Sequence, residues 1–332
     1  MRVIWPPHGA RARDERGAIA VVIAICSIVM FGMAAFVLDT GNLWTSRRHL
    51  ITATDSAALG AAEDYAVGKA GCASTAPSLL TTNYAGTALT SCVYTAAGSG
   101  AGYVTVTGGH SVNFSFAQIF GLSSSTVHST TAAAFGLPTG LTGLRPLGLC
   151  NASAGFRNWL NSGMSTPFTQ KIFITKDSPN DCGANAPGNW GQLQLDPNCP
   201  GNNCEKDQWA NGYQGIVNSD TLIGAKPGAF SNSISSDLSA LEASGQPFQL
   251  PVYDAASGNG RNAEFHIIGF VTLVLINHSL TGAQASRYIT VQFQTGVAQG
   301  SCCSQGTDTG TRVVFICAVD ATFDPSHCTS HQ

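Results

Sequence analysis

One run constrains this chain more than any other. Residues 18–38, AIAVVIAICSIVMFGMAAFVL, form a stretch of 21 residues without a charge, bounded by Ala18 and Leu38. As an α-helix it would be roughly 31 Å long, against about 30 Å for the hydrocarbon core of a bilayer. Arg2, Arg11, Arg13 and Arg16 precede it, and Arg47 and Arg48 follow only at a distance. That bias places the N-terminal tail in the cytoplasm and everything after the run outside. Cleavage as a signal peptide is the competing reading. The run exceeds the usual apolar core of 7–15 residues, and no A-x-A site follows it. The expectation is an uncleaved anchor. The next most apolar stretch, FHIIGFVTLVLIN at 265–277, is too short to span as a helix and reads as one buried strand or a pair.

Composition supports an exported body. Only 11% of the 332 residues are charged, and no acidic residue lies between Asp64 and Asp177. The average soluble protein carries about 25%. A net charge of −3 excludes a strongly basic nucleic-acid binder, and 44% apolar residues exclude an acidic disordered chain. Eleven cysteines are too many for an ordinary cytosolic enzyme. Cys26 lies in the apolar run. The other ten are Cys72, Cys92, Cys150, Cys182, Cys199, Cys204, Cys302, Cys303, Cys317 and Cys328, all on the expected outer side. An even number there reads as a disulfide framework. Cys72–Cys92 is the expected local pair. Cys199 and Cys204 would pair with each other or with Cys182. Cys302 and Cys303, being adjacent, are expected to reach different partners. The remaining connectivity is open.

Residues 39–68 continue as a helical stalk. Leu43, Leu50 and Ala57 recur at seven, as do Trp44, Ile51, Ala58 and Tyr65. That spacing lays an apolar stripe along one side of a helix. With Ala57 and Ala61 alongside, Trp44, Ile51, Ala58 and Tyr65 are expected to form an exposed helix interface, since a helix leaving a membrane has no evident partner within its own chain; the alternative is that the small sheet folds back and covers the stripe. Gly41 is a candidate kink, and Gly68 and Gly71 mark the end. Residues 16–62 resemble the N-terminal module of TadE/TadG-like Flp (Tad) pilus-assembly proteins. The features that carry the resemblance are Arg16-Gly17 before the run, Asp39 and Gly41 after it, Arg47, Arg48 and Leu50, and the run Thr54-Asp55-Ser56-Ala57-Ala58-Leu59. The resemblance implies a membrane-anchored protein that works with a thin surface pilus and does no catalysis. Its expected partners are the lipid bilayer and other pilin-like membrane proteins.

Beyond the stalk the pattern turns to strands. YVTVT (103–107) and SVNFSF (111–116) alternate apolar and polar residues, with Gly108-Gly109 between them as a hairpin turn. AQIFG (117–121) reads as one helical turn and TVHSTTAAAF (126–135) as a third strand. Residues 136–148, rich in Gly and Pro, read as a linker. Later strands are expected in KIFITKD, FQLPVYD, EFHIIGFVTLVLI, RYITVQFQTGV and TRVVFICAVD, with a helix over 231–243. Strands that follow one another without helices indicate antiparallel pairing. The expected class is α+β: a cytoplasmic tail (1–17), an anchor (18–38), a stalk (39–68), a small β-rich domain (69–135), a linker and a larger, mainly antiparallel disulfide-containing domain (149–332).

Chemistry-bearing motifs are missing. C-x-x-C, G-x-S-x-G, H-E-x-x-H and the P-loop do not occur. Asp177, Asp181, Asp196, Glu205 and Asp207 sit in a Gly/Asn/Pro-rich stretch and read as a solvated loop rather than a calcium site. His266 reads as a hydrogen-bonded core residue, and Asp254 as a turn cap before Gly258-Asn259-Gly260. No metal, cofactor or catalytic set is expected. The alternative to a pilus-assembly component is an exported surface hydrolase or sugar-binding module carried on a membrane anchor.

Overall fold

The structure is a computed structural model that describes residues 16–98, 100–165, 167–173, 191–199, 201–226, 232–283, 286–304 and 306–317. In chain order the helices are α1 (Arg16–Ala66), α2 (Thr75–Asn83), α3 (Ala154–Asn161), α4 (Asn202–Asn211) and α5 (Ser235–Ser244). The strands are β1 (Thr87–Ala96), β2 (Gly102–Asn113), β3 (Ser124–Leu141), β4 (Leu149–Cys150), β5 (Thr169–Phe173), β6 (Val217–Asn218), β7 (Thr221–Gly224), β8 (Pro247–Ser257), β9 (Glu264–Ser279), β10 (Tyr288–Gln294), β11 (Gly296–Val297), β12 (Gly300–Ser304) and β13 (Thr311–Ile316). They form two sheets, so the architecture is α+β. The first runs β1-β2-β3-β13-β11, with β12 and β6 also on β3; the second runs β4-β8-β9-β10-β5, with β7 on β9.

α1 is unbroken through Gly41, about 76 Å from end to end. The part of it nearest the C-terminus lies against the first sheet and α2. Ala53, Ala57, Ala58, Ala61, Ala62 and Ala66 are fully buried there with Leu80, Val104, Val106 and Ala133. Small side chains let the sheet come close. Gly108 lies within β2 and makes no hairpin: a Cβ there would press on Thr54, Leu80 and Leu50 at 3.1–3.3 Å. The glycine pair serves close approach to the helix rather than a turn. Gly71 likewise packs on the Ala61 backbone, where a Cβ would come within 2.5 Å.

This packing corrects the expected interface stripe. Ala57, Ala58 and Ala61 are covered by the protein's own sheet and α2, and Tyr65 stacks on Tyr94 of β1 with centroids 4.2 Å apart. Trp44 and Ile51 stay exposed. The heptad reading placed all of them on one side; the sheet takes the alanine end and leaves the other.

The second sheet is buried on both faces. On one, Phe156 and Trp159 of α3, Trp209 of α4 and Leu238 of α5 pack with Leu250, Leu273, Val291 and Phe293. On the other, Tyr253, Phe265, Ile267 and Phe270 meet Leu141, Leu144 and Val313 from the first sheet's side. Burial on both sides explains the nearly continuous apolar run of β9. The expected boundary at 136–148 is crossed by structure. β3 runs straight through to Leu141, and β13 and β12 return from the far end of the chain to pair with it. Thr272 and Thr311 hydroxyls, 2.8 Å apart, tie the two sheets within the core.

Cysteine pairing differs from expectation at one point. Cys72–Cys92, between the helix end and β1, and Cys199–Cys204 are bonded. Cys302 and Cys303 are bonded to each other across a cis peptide, with Cα atoms 3.1 Å apart. Separate partners were expected because the two residues are adjacent; the structure joins them to each other instead. Cys150 and Cys317 are also in disulfides. Cys182 and Cys328 lie outside the described residues, as do Asp177 and Asp181. Glu205 is not a solvated loop residue: it is buried in α4 and paired with Lys226.

Candidate functional site

The site is α1 itself. Among the described residues it is the one helix long and apolar enough to cross a membrane, and none of its most apolar window is buried. Ile28, Phe31 and Phe36 are each more than 70% exposed. Apolar surface on this scale along one helix is not covered by the other described residues.

At the end of the run stands Asp39, only 7% exposed. Its carboxylate accepts from three consecutive backbone N–H groups, those of Ser115 at 2.8 Å, Phe116 at 3.1 Å and Ala117 at 2.7 Å. These open the 3-10 turn Ala117–Phe120 in the β2–β3 connection. An acid on a long helix therefore caps a turn 76 residues away in sequence. The clamp fixes the height of that connection along α1. Five residues further on, Trp44 is exposed and carries the Arg48 guanidinium 4.8 Å from its ring centre. Trp and Arg together at this distance from an apolar run suit the boundary between hydrocarbon and headgroups.

The Thr54-Asp55 pair holds the sheet. Thr54 Oγ1 lies 3.0 Å from Ser129 Oγ, and Thr131 Oγ1 donates to Thr54 at 3.1 Å or to Asp55 Oδ1 at 2.7 Å. Thr54 is fully buried, so these bonds compensate for the loss of water to its hydroxyl. Thr54 and Asp55 of the T-D-S-A-A-L run thus set the register of β3 on α1, and its alanines make the contact close. At the helix end, Arg312 of β13 donates to the Ala66 carbonyl, to Gly100 O at 3.2 Å and to Asp308 Oδ2 at 2.6 Å. A cation there also complements the helix dipole. Sequence reasoning missed both this clamp and the Asp39 clamp. The available signals were an acid directly after an apolar run, and one charged residue, an arginine, in the strand TRVVFI with an aspartate four residues before it.

His266 is neither in the core nor free. Its Nδ1 lies 2.7 Å from Asp254 and its Nε2 3.1 Å from Asp220. Asp254 thus holds the ring rather than capping a turn. Hydrogen bonds to Asp254 and then Asp220, outweighing burial, raise the histidine pKa above its ordinary value. The two carboxylates sit on opposite sides of the ring, so the three groups do not converge on a metal, and both ring nitrogens are occupied. A cleft of about 550 Å³ opens where the two sheets meet, walled by Tyr65, Tyr94, Phe135, Trp159 and Phe293. Arg312, the cation among its described lining residues, is committed to the contacts above.

Comparison with known proteins agrees with this emphasis. A family model for Flp pilus-assembly TadE/G-like proteins matches residues 17–64, about one seventh of the chain and nearly the whole of α1. The N-terminal module is therefore TadE/G-like, and the match supports a role related to the Flp/Tad pilus. No curated protein and no solved structure matches the chain.

Proposed function

We propose that this chain is a single-pass membrane protein that acts as an accessory or minor-pilin-like component of Flp (Tad) pilus assembly. Its N-terminal tail lies in the cytoplasm and its two-sheet body outside. The observation that carries this reading is a coincidence: the TadE/G-like match falls on a helix whose first half is bare and whose second half holds a folded body. The protein works by packing, without catalysis. The apolar half of α1 meets lipid and the apolar helices of other pilin-type proteins. The Trp44–Ile51 ridge, left uncovered by the sheet, continues that surface outward. The body rides on the Ala-lined half and is held at a set height by Asp39 and Thr54.

Cells lacking the chain and complemented with the double variant Trp44→Ala, Ile51→Ala test the proposal. Both side chains are exposed, so protein level and melting should match the parent while surface pili fall several-fold. Normal piliation would remove the ridge from assembly. A reporter fused after the body should be active outside the cell, and activity in the cytoplasm alone would reverse the topology.

A further inference from the structure

The connection between β2 and β3 is apolar in a way the fold does not use. Ile119 is 80% exposed, Phe120 84%, Leu122 58% and Phe116 39%. Four large apolar side chains in seven residues point away from the protein's own core. The turn is nevertheless well built. Phe114 N donates to Ser123 O at 3.0 Å, Leu122 N to Ala117 O at 3.1 Å, and Gln118 Nε2 to Phe114 O at 2.6 Å, besides the three bonds to Asp39. A turn so closely held, at one fixed place on α1, keeps its side chains in one fixed presentation.

Its position decides what they meet. Phe116, Phe120 and Leu122 line one gap of about 330 Å³ with Gly32, Ala35 and Phe36 of α1. Gly32 lies seven residues before Asp39, roughly 10 Å further along the helix toward its N-terminus. The turn therefore hangs beside the last two turns of the apolar run. Charge points the same way. From residue 70 to residue 144 the sequence contains no Asp, Glu, Lys or Arg. Entering a bilayer edge thus costs this segment no desolvation of a formal charge.

We propose that residues 114–123 are a second membrane-contacting element. Phe116, Ile119, Phe120 and Leu122 enter the outer hydrocarbon edge beside α1, and their partner is lipid acyl chain. The argument rests on the anchoring reading given under Proposed function, and on continuity with that anchor. The depth implied, about 10 Å, is that of apolar side chains at an interface rather than of a span. Asp39 sets that depth, because it ties the turn to a fixed level on the spanning helix. The body then stands on two contacts and cannot swivel freely about α1.

The test uses the full chain reconstituted in phosphatidylcholine vesicles, with and without bromine on the acyl chains. Phe120→Trp and Ile119→Trp replace exposed residues, so both variants should fold. The five native tryptophans are subtracted with the parent protein. Leu222→Trp is the control. Leu222 follows β6, which pairs with the far end of β3, roughly 56 Å along that strand from the turn. The emission added at positions 119 and 120 should be blue-shifted and quenched at least twofold by acyl bromine, and that added at 222 should be unaffected. Emission that is unquenched while the protein still floats with the vesicles overturns the turn's role and leaves the anchor standing. Emission shielded from both bromine and aqueous acrylamide places the turn against protein and overturns the lipid assignment. Protein that does not float with the vesicles overturns the anchor and the turn together.

Discussion

The two halves of α1 are one unbroken helix with opposite needs. Residues 19–38 are mostly large, branched and bare; from Leu50 to Ala66 the inward residues are mostly alanine and fully covered. In the first half side-chain size matters, because the surrounding medium has to accept it. In the second half smallness matters, because a β-sheet has to come within van der Waals reach. Apolar character alone does not distinguish the two. The hydrogen bonds do: Asp39, Thr54, Asp55 and Asp64 all bond to the body beyond the helix, whereas the apolar run before Asp39 carries one hydroxyl, that of Ser27, among aliphatic, aromatic and sulfur side chains.

The same kind of substitution should therefore fail differently in each half. Ala58→Glu has the largest expected effect. It forces an unpaired charge into a fully buried site, at a cost on the order of several kcal/mol. The body should lose its cooperative melting even in detergent, and a normal melt would mean that the sheet does not cover the helix. Ile28→Arg comes next. Its cost falls on insertion, about 2.5–3.5 kcal/mol at a helix centre. The fraction resistant to alkaline extraction should drop, while the melting of the body in detergent should match the parent. A loss of melting temperature would show that the first half is also packed on protein.

Thr54→Val sharpens the comparison at its midpoint. It keeps the shape and removes the hydroxyl shared with Ser129 and Thr131. A buried polar group left unpaired costs about 1–3 kcal/mol, to be read from denaturant midpoints in detergent. Membrane retention should stay as in the parent. The smallest effect lies outside both halves. His266 has a raised pKa, so its protonation by way of Asp254 and Asp220 stabilises the body below the ordinary histidine value. That contribution is lost as pH rises through the raised value. His266→Gln should flatten the dependence of melting temperature on pH across the neutral range and leave the helix contacts unchanged. An unchanged pH profile would take the ion pairs out of the account.

Much of this was legible in the residues. The apolar run, the continuation of the helix, the short turn at 117–120 and most later strands follow from length and period. Two kinds of feature were not. The β1 strand was missed because its alternation is carried by Ala, Thr and Ser, whose burial depends on what lies above them. The function of Gly108-Gly109 was misread because a glycine pair between alternating runs has the same appearance whether the chain turns or a helix presses close. The alanine stripe was read as an open interface for a related reason: period shows which residues share a face, and says nothing about which part of the chain comes back to cover it. The Asp39 and Arg312 clamps join residues 76 and 246 positions apart, beyond the reach of any local pattern.

The strand β3 carries a consequence in time. Its edge from Ala133 to Leu141 is closed mostly by β13 and β12, near the far end of the chain. At roughly 5–20 residues per second, the stretch between Leu141 and Arg312 takes about 9–34 s to synthesise. The helix and the first hairpins are delivered early, and the strands that finish the sheet arrive last. For that interval an apolar strand edge stands open, able to pair with a strand from a neighbouring chain.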